Sequence, residues 1–354
     1  MSSHQQFMQR CLQLASLGLG KVAPNPMVGA LLVHNGKIIG EGYHHRFGEA
    51  HAEVNAIADA LKSHPESILS DATLYVSLEP CSHHGKTPPC CDLIIQKKIR
   101  QVVIAHQDPF AQVNGEGIRL LQKNGIDVIT GICEKEAREL NRRFICFHAE
   151  HRPYVILKFA QSRDGFISPK HPDLNTRWIT NTTSRKLVHK WRSEEMAIMV
   201  GTKTALLDNP ELTVRDWQGD NPIRIVIDRS LKLPSHLHLL NGQVKTLIIN
   251  EKKSEQHGLN EFIRLNFQEA VIPQILNVLH QQSIQSIIVE GGMQLLQKFI
   301  DASAWDEARI FTGNKWLGDG IPAPKISGSI TESIKIDDDQ LIILKKNHNS
   351  VGSI

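Results

Sequence analysis

Residues 79–90 read Glu-Pro-Cys-Ser-His-His-Gly-Lys-Thr-Pro-Pro-Cys, and residues 51–53 read His-Ala-Glu. The surrounding pattern predicts that 51–53 opens a helix, that Cys81 ends a strand and that Cys90 opens another helix. One imidazole and two thiolates can bind Zn²⁺ and leave a fourth position for water. Glu53 can reach that water without binding the metal, take its proton and pass it to a leaving amine. We therefore predict a hydrolytic zinc site with His51, Cys81 and Cys90 as ligands and Glu53 as the catalytic residue.

This spacing resembles the His-x-Glu…Pro-Cys-x-x-Cys signature of zinc deaminases, but eight residues instead of two separate Cys81 from Cys90. Two alternatives stay open. One is a closed structural zinc with a fourth ligand from His83, His84 or Cys91, and the other is a set of core cysteines with no metal. Cys90 is favoured over its neighbour because it directly follows two prolines. The remaining cysteines fall on predicted helices and are expected in the core: Cys11, Cys133 and Cys146.

Composition points to small-molecule chemistry in a two-domain protein. The 354 residues are enough for about two domains of ordinary size. Net charge is only +3, and residues 1–150 hold 15 basic and 15 acidic side chains, so no basic nucleic-acid surface is expected. No apolar run approaches the roughly 18 residues of a membrane span, and no secretory signal is evident at the start. We expect a cytoplasmic protein without a membrane partner, and leave a homo-oligomer open.

Strands alternate with helices along the chain, which predicts α/β architecture and, in the first half, three layers. That half is predicted to begin with a helix over 4–19, to turn a hairpin at Asn35-Gly36 and to end with one helix over 134–147. A polar stretch ending in proline, 148–153, marks the predicted boundary. Two domains follow from it, 1–149 and 150–354.

Nucleotide-binding fingerprints are largely excluded. Gly85-Lys86-Thr87 lacks the first glycine of a P-loop, and Gly115-Glu116-Gly117 lacks the third glycine of a dinucleotide motif. We interpret the second as a turn whose glycines serve backbone geometry. In the second half, Glu290-Gly291-Gly292 joins a strand to a helix. Such a turn can approach a phosphate, although a tight turn without any ligand fits as well.

Several longer motifs resemble the bifunctional deaminase/reductase family of riboflavin biosynthesis. In the first half they are Pro24-Asn25-Pro26-x-Val28-Gly29, Gly42-Tyr43-His44, Gly48-x-x-His51-Ala52-Glu53 and the long 79–90 motif. In the second half they include Trp178-Ile179-Thr180, Trp191-Arg192, Asp208-Asn209-Pro210-x-Leu212-Thr213-Val214-Arg215 and Glu290-Gly291-Gly292. The long insert between the cysteines belongs to that family.

For the first half, the resemblance implies a cytidine-deaminase-like fold. The implied reaction is deamination of 2,5-diamino-6-ribosylamino-4(3H)-pyrimidinone 5′-phosphate. It also implies that this substrate is held by Asn25, His44, His83 and Lys86. An amide suits the edge of a pyrimidine and cations suit its phosphate. For His44 and Lys86 the alternative is a solvated surface position.

For the second half, the resemblance implies a dihydrofolate-reductase-like fold and NADPH-dependent reduction of the ribosyl group to ribityl. Lys158 would polarise or protonate the sugar. The implied substrate contacts are Thr176, Arg192, Leu212, Arg215 and Glu290. The implied cofactor contacts are Ala160, Trp178, Thr204, Asp208, Gly292, Met293 and Gln294. Arg229 stands where a serine is commoner in the family, and we expect it to contact the 2′-phosphate of the cofactor. Alternatives are core packing for Trp178 and Trp191, a cap for Asp208 and a surface charge for Arg229.

Two other functions fit parts of the sequence. A nucleoside or tRNA deaminase with an unrelated second module shares the zinc motif, but the neutral first half argues against a tRNA substrate. A non-catalytic zinc scaffold shares the ligands. It would gain nothing from Glu53 beside an open metal position.

Overall fold

The computed structural model describes residues 2–82, 88–109, 114–170 and 178–347. The chain divides between His151 and Arg152 into two units, each with its own sheet and core. Among the described residues, no helix is long and apolar enough to cross a bilayer.

The first unit is a mixed sheet between two helical layers. Its elements are α1 (Ser3–Ser16), β1 (Gly29–His34), β2 (Lys37–Tyr43), α2 (Ala52–Ala60), β3 (Thr73–Val76), α3 (Cys90–Gln96), β4 (Gln101–Ile104), α4 (Glu116–Lys123), β5 (Asp127–Thr130), α5 (Glu134–Leu140) and α6 (Arg142–Glu150). The described strands lie in the order β2-β1-β3-β4-β5, with β3, β4 and β5 parallel and β1 antiparallel to both neighbours.

Alternating side chains of β1 supply two separate cores. Ala30 and Leu32 pack on one face with residues of α2 and α3, while Leu31 and Val33 pack on the other face with residues of α1. This period of two is what a strand covered on both faces requires. The three-layer α/β prediction is confirmed.

Two local predictions about turns are also confirmed. Asn35 and Gly36 both have positive φ, 50° and 73°, as the two-residue hairpin between β1 and β2 demands. Gly115 has φ 88°, and a Cβ on Gly117 would stand 2.2 Å from the carbonyl oxygen of Pro80. These glycines therefore serve backbone geometry.

The single helix predicted over 134–147 is wrong, because the structure has two helices that meet at Asn141. The Asn141 side chain is buried and bonds the backbone of Met27 in both directions, accepting from its N–H at 2.8 Å and donating to its carbonyl at 2.9 Å. A tertiary contact of this kind overrides helix propensity.

The second unit is built on a long, mostly parallel sheet. Its elements are β6 (Tyr154–Gln161), β7 (Phe166–Pro169), α7 (Thr182–Glu194), β8 (Ala197–Gly201), α8 (Thr202–Asp208), β9 (Ile223–Ile227), β10 (Thr246–Asn250), β11 (Glu255–His257), β12 (Asn260–Arg264), α9 (Val271–Gln281), β13 (Ser286–Glu290), α10 (Met293–Asp301), β14 (Glu307–Thr312), β15 (Gly320–Pro322), β16 (Ser329–Ile336) and β17 (Asp339–Lys345).

Within the described residues, the large sheet has the order β11-β12-β10-β9-β8-β13-β6-β14-β17-β16. The strands from β12 to β14 in that order are parallel, and β11, β17 and β16 extend the two ends antiparallel. Because β13 lies between β8 and β6, the carboxyl ends of three central strands meet at one edge. Ligands of open parallel sheets bind at such edges.

Candidate functional sites

The three predicted metal ligands lie together in the first unit. His51 is the residue before α2, Cys81 follows β3, and Cys90 is the first residue of α3. The Nδ1 atom of His51 is 3.6 Å from the Cys81 sulfur and 3.3 Å from the Cys90 sulfur. All three ligand atoms lie within 4.8 Å of one another.

This donor set fits zinc, which prefers imidazole nitrogen and thiolate sulfur. The Cys90 side chain and His51 both form hydrogen bonds with the Cys81 thiol and lower its pKa, while the hydrogen bond to Cys81 and burial raise the pKa of Cys90. The backbone N–H of Cys90 also donates to the Cys81 sulfur at 3.3 Å. A thiolate stabilised in this way is ready to bind a cation.

The side chain of Cys91 does not take part in the cluster of His51, Cys81 and Cys90. Its thiol donates to the carbonyl oxygens of Pro80 at 3.3 Å and Gly117 at 3.7 Å, and burial raises its pKa. It therefore behaves as a buried structural thiol. The other alternative ligands, His83 and His84, lie outside the described residues, as do the predicted substrate contacts His83 and Lys86.

Glu53 is the second residue of α2, two positions after His51, and only 3% of it is exposed. Burial, and then the nearby Cys81, raise the pKa of its carboxyl group above the ordinary value. A raised pKa makes a carboxyl group a better proton acceptor and so suits it to general acid–base catalysis.

The side chains of Asn25 and His44 form a hydrogen-bonded pair. The Asn25 side-chain nitrogen is 3.1 Å from Nε2 of His44, and Nδ1 of His44 is 3.1 Å from the carbonyl oxygen of Ala50. His44 is buried, which lowers its pKa, and its ring meets the His51 ring edge-on at 5.4 Å. A neutral His44 that donates from Nδ1 accepts the Asn25 N–H at Nε2. The Asn25 amide oxygen is thereby oriented by a fixed partner.

Glu79 holds together two loops near the metal ligands, a role that was not predicted from the sequence. Its buried carboxylate accepts backbone N–H groups from Asp108 at 3.1 Å, Gly115 at 2.9 Å and Ile118 at 3.2 Å. It thus ties the chain just before Cys81 to the start of α4. The feature of the sequence that could have indicated this role is an acidic residue directly before Pro80-Cys81, at the end of an apolar strand.

In the second unit, three charged predicted residues cluster at the carboxyl ends of the central strands. Lys158 of β6 pairs in register with Glu290 of β13, and Arg192 of α7 donates to Glu290 at 2.9 Å. Burial lowers the pKa of Lys158. Burial works to raise the pKa of Glu290, but Arg192 and Lys158 hold it below its ordinary value.

This cluster retains unused hydrogen-bonding capacity. Oε1 of Glu290 and Nε of Arg192 are buried atoms that have no hydrogen-bond partner among the residues that the structure describes. Buried polar atoms of native proteins are almost always satisfied, so orphans beside a lysine indicate a place for a polar ligand.

Leu212 and Arg215 follow on the segment after α8. Leu212 is buried with a positive φ of 54°, a strained conformation for a side chain with a Cβ. The Arg215 guanidinium donates to the Glu211 carboxylate at 2.9 Å and to the Thr213 hydroxyl at 3.2 Å, and is half exposed. Thr176, the remaining predicted substrate contact, lies outside the described residues.

The turn between β13 and α10 brings three predicted cofactor residues together with Thr204. Gly291 and Gly292 have φ of 87° and 56°, and a Cβ on Gly291 would stand 2.9 Å from the Thr204 side chain. Met293 and Gln294 are the first residues of α10. The turn therefore places a hydroxyl, two glycines and a helix N-terminus side by side, which is a suitable combination for a phosphate.

The other predicted cofactor residues are more dispersed. Ala160 is on β6, Asp208 is the exposed last residue of α8, and Trp178 is half exposed beneath Arg185, 4.7 Å from its ring centroid. Arg229 donates to Glu251 at 2.8 Å on the surface. Trp191, by contrast, is buried against Phe311, consistent with core packing.

Comparison with known proteins matches both units. The family model described as "RibD C-terminal domain" matches residues 153–341, and the one described as "Cytidine and deoxycytidylate deaminase zinc-binding region" matches residues 1–106. The "Riboflavin biosynthesis protein RibD" of Aquifex aeolicus is 38% identical, over 94% of this chain and 93% of its own. The Escherichia coli protein of the same name is 36% identical, over 89% and 88%.

Solved structures agree over the full length. A Thermotoga maritima diaminohydroxyphosphoribosylaminopyrimidine deaminase/5-amino-6-(5-phosphoribosylamino)uracil reductase matches with a TM-score of 0.89 and 35% identity, covering 98% of this chain and 99% of its own. Acinetobacter baumannii RibD matches with a TM-score of 0.87 and 30% identity, with the same coverage.

Proposed function

This chain belongs to the RibD family of bifunctional deaminase/reductases of riboflavin biosynthesis, and from that premise we propose which residues carry each reaction and which cofactor the second one uses. The enzyme deaminates a diaminopyrimidine ribotide in its first unit. It then reduces the ribosyl group of the product in its second unit. Its partners are thus small phosphorylated substrates. We also place it in the cytoplasm, where reducing conditions keep Cys81 and Cys90 from forming a disulfide.

For deamination, the supporting observation is the convergence of His51, Cys81 and Cys90 beside the buried Glu53. We assign the three ligands to one zinc ion, which when bound lowers the pKa of a water molecule to about 7. Glu53 removes a proton from the attacking water and delivers it to the exocyclic amine, which leaves as ammonia. The Asn25 amide, oriented by His44, contacts the polar edge of the pyrimidine, and His83 and Lys86 complete the substrate contacts.

For reduction, the supporting observation is the pair of orphan atoms on Glu290 and Arg192 next to Lys158. We propose that Glu290 and Arg192 bind hydroxyl groups of the ring-opened sugar and that Lys158 protonates its oxygen or nitrogen. Arg215 binds the substrate phosphate, and Leu212 and Thr176 shape the pocket. An arginine suits phosphate because its planar fork donates two parallel hydrogen bonds.

We propose NADPH as the cofactor of the second reaction, which it supplies with hydride. Thr204 and the turn of Gly292, Met293 and Gln294 hold its diphosphate, because backbone N–H groups at a helix start favour anions. Ala160, Trp178 and Asp208 line the rest of the site, and Arg229 contacts the 2′-phosphate. Exchange of Glu251 for that phosphate as the partner of Arg229 would select NADPH over NADH.

The whole proposal is tested by following the diaminopyrimidine substrate by mass spectrometry with no cofactor, NADH or NADPH. We expect one oxygen-for-nitrogen product without cofactor and a second product carrying two more hydrogens with NADPH. Equal second-step rates with NADH would contradict the role of Arg229. Absence of the first product with zinc bound would contradict the deaminase assignment.

The ligand assignment predicts different zinc contents for two cysteine variants. Loss of a residue that only hydrogen-bonds a metal ligand weakens metal binding by roughly 10–100-fold. Cys81→Ser removes a ligand itself and should therefore weaken zinc binding by more than this. Cys91→Ser is the matched control, since that thiol bonds two carbonyl groups, and it should keep one zinc per chain. Metal analysis after gel filtration measures both. Full occupancy in Cys81→Ser would remove Cys81 from the site.

A further inference from the structure

Helix α7 and the segment that follows Leu212 are joined by two hydrogen bonds next to the proposed reductase site. Arg192 donates from Nη1 to the carbonyl oxygen of Thr213 at 3.2 Å. The backbone N–H of Arg215 donates to Nδ1 of His189 at 3.0 Å. His189 and Arg192 are three positions apart and so lie on the same face of the helix. This face of α7 therefore forms hydrogen bonds with the backbone of the residues before and after Val214.

The rest of the segment also lies against α7. A Cβ on Gly219 would stand 2.4 Å from the Cβ of Ser193, and the Lys190 ammonium lies 5.7 Å from the centroid of the Trp217 ring. The backbone N–H of Val214 donates to the Asn221 side chain at 2.8 Å. Contacts with α7 therefore help to fix the position of residues 213–219, and His189, only 6% exposed, is a buried polar residue among those that make them.

The bond to Arg215 requires one protonation state of His189. Nδ1 can accept only when it carries no proton, so the ring must be neutral with its hydrogen on Nε2. Nε2 faces the Asp216 carboxylate at 3.6 Å. The charged groups around the ring are Arg192 on the same helix, Arg215 and Asp216 on the segment and Glu290 on β13. Burial, followed by Arg192, lowers the pKa of His189 below its ordinary value.

We propose that His189 is a positioning residue of the reductase, whose neutral imidazole fixes the Arg215 backbone so that the Arg215 side chain meets the substrate phosphate. The inference rests on the proposed function of Arg215. The histidine itself touches neither substrate nor cofactor. Its effect falls on substrate binding, because the segment carrying Arg215 loses its fixed position while Lys158 and the hydride donor keep theirs.

The test measures NADPH oxidation on the pre-deaminated substrate with His189→Leu and His189→Asn. Leucine fills the space without an acceptor, whereas the asparagine oxygen can replace Nδ1 and cannot be protonated in this range. We expect His189→Leu to raise KM about tenfold with kcat within about twofold, as for one lost hydrogen bond. His189→Asn should restore KM to within about threefold. His236→Leu, an exposed histidine of the same unit, is the matched control.

A pH series separates positioning from simple packing. Protonation of His189 turns Nδ1 into a donor that faces another donor. Because the pKa of His189 is lowered, KM of the wild type should rise only at pH values below the ordinary titration range of histidine. The substrate phosphate also titrates near pH 6, and that contribution persists in every variant. His189→Asn should therefore show a distinctly shallower rise in KM at low pH than the wild type. This comparison remains informative even if His189→Leu does not fold.

Two outcomes would overturn the role of His189. One is an unchanged KM in folded His189→Leu, and the other is a pH dependence of KM in His189→Asn that equals the wild type. An Arg215→Gln variant distinguishes failure of this inference from failure of the proposed function. If Arg215→Gln raises KM and His189→Leu does not, only the positioning role fails. If Arg215→Gln leaves KM unchanged, the phosphate contact itself is wrong.

Discussion

Replacement of Glu53 by glutamine is expected to lower the rate of deamination by about 10²-fold or more while zinc stays bound. Glutamine keeps the size and hydrogen-bonding reach of the side chain but can neither take a proton from water nor give one to the leaving amine. Glu53 is not among the clustered ligand atoms, so metal content should not change. The measurement is turnover of the diaminopyrimidine substrate by protein whose zinc content has been determined.

Glu49→Gln is the matched control, because it makes the same change of charge at an exposed position two residues before His51. It should leave deamination within about twofold of the wild type, as surface substitutions generally do. Reduction of supplied deaminated substrate should be normal in both variants. Near-normal deamination by zinc-loaded Glu53→Gln would place the proton shuttle on another group.

The first site was largely predictable because its chemistry is local. His51 and Glu53 share one helix start, and Cys81 and Cys90 lie where predicted elements end and begin. Their grouping was therefore predictable from the α/β pattern together with the ligand preferences of zinc. Strongly periodic elements such as β1 were predicted for the same reason. What a sequence pattern shows well is the order of chemistry-bearing residues along regular elements.

What escaped prediction depends on contacts between distant positions. Asn141 interrupts a predicted helix through hydrogen bonds with the backbone of Met27, 114 positions away. The periodicity of the sequence around Asn141 does not indicate this interruption. Glu79 and His189 take their roles from backbone N–H groups whose positions only the folded chain defines. The exposed strand β16 was not predicted, because its apolar alternation through Ile330, Ile334 and Ile336 is interrupted by Glu332 and most of its side chains face solvent.

The second large effect is expected from removal of zinc, which should abolish deamination and leave reduction of the pre-deaminated substrate within about twofold of normal. The proposed ligands all lie in the first unit, and the sequence has no cysteine after Cys146. The main core of the second unit consists of residues between Val155 and Leu344. The stability of that unit therefore does not depend on thiolate coordination. The measurement is NADPH absorbance after chelation and desalting.

The reverse experiment uses Glu290→Gln. Loss of the charged bond to Arg192 and of a sugar contact should slow NADPH oxidation by roughly 10–100-fold, the usual range for a charge-assisted hydrogen bond. The deaminated intermediate should accumulate, since Glu53 and the zinc ligands are unchanged. Glu332→Gln on the exposed strand β16 is the matched control and should oxidise NADPH normally.

Zinc removal and Glu290→Gln together distinguish an enzyme with two separate sites from one with a single shared site. Two sites require that chelation affects the first reaction alone and that Glu290→Gln affects the second alone. Circular dichroism is used to check that the protein stays folded, because a first unit without its metal can lose structure while the second unit keeps its own. If chelation abolishes reduction while the second unit remains folded, the two-site interpretation is wrong and the metal serves both reactions. If Glu290→Gln slows deamination at saturating substrate, Glu290 belongs to a chemistry common to both steps.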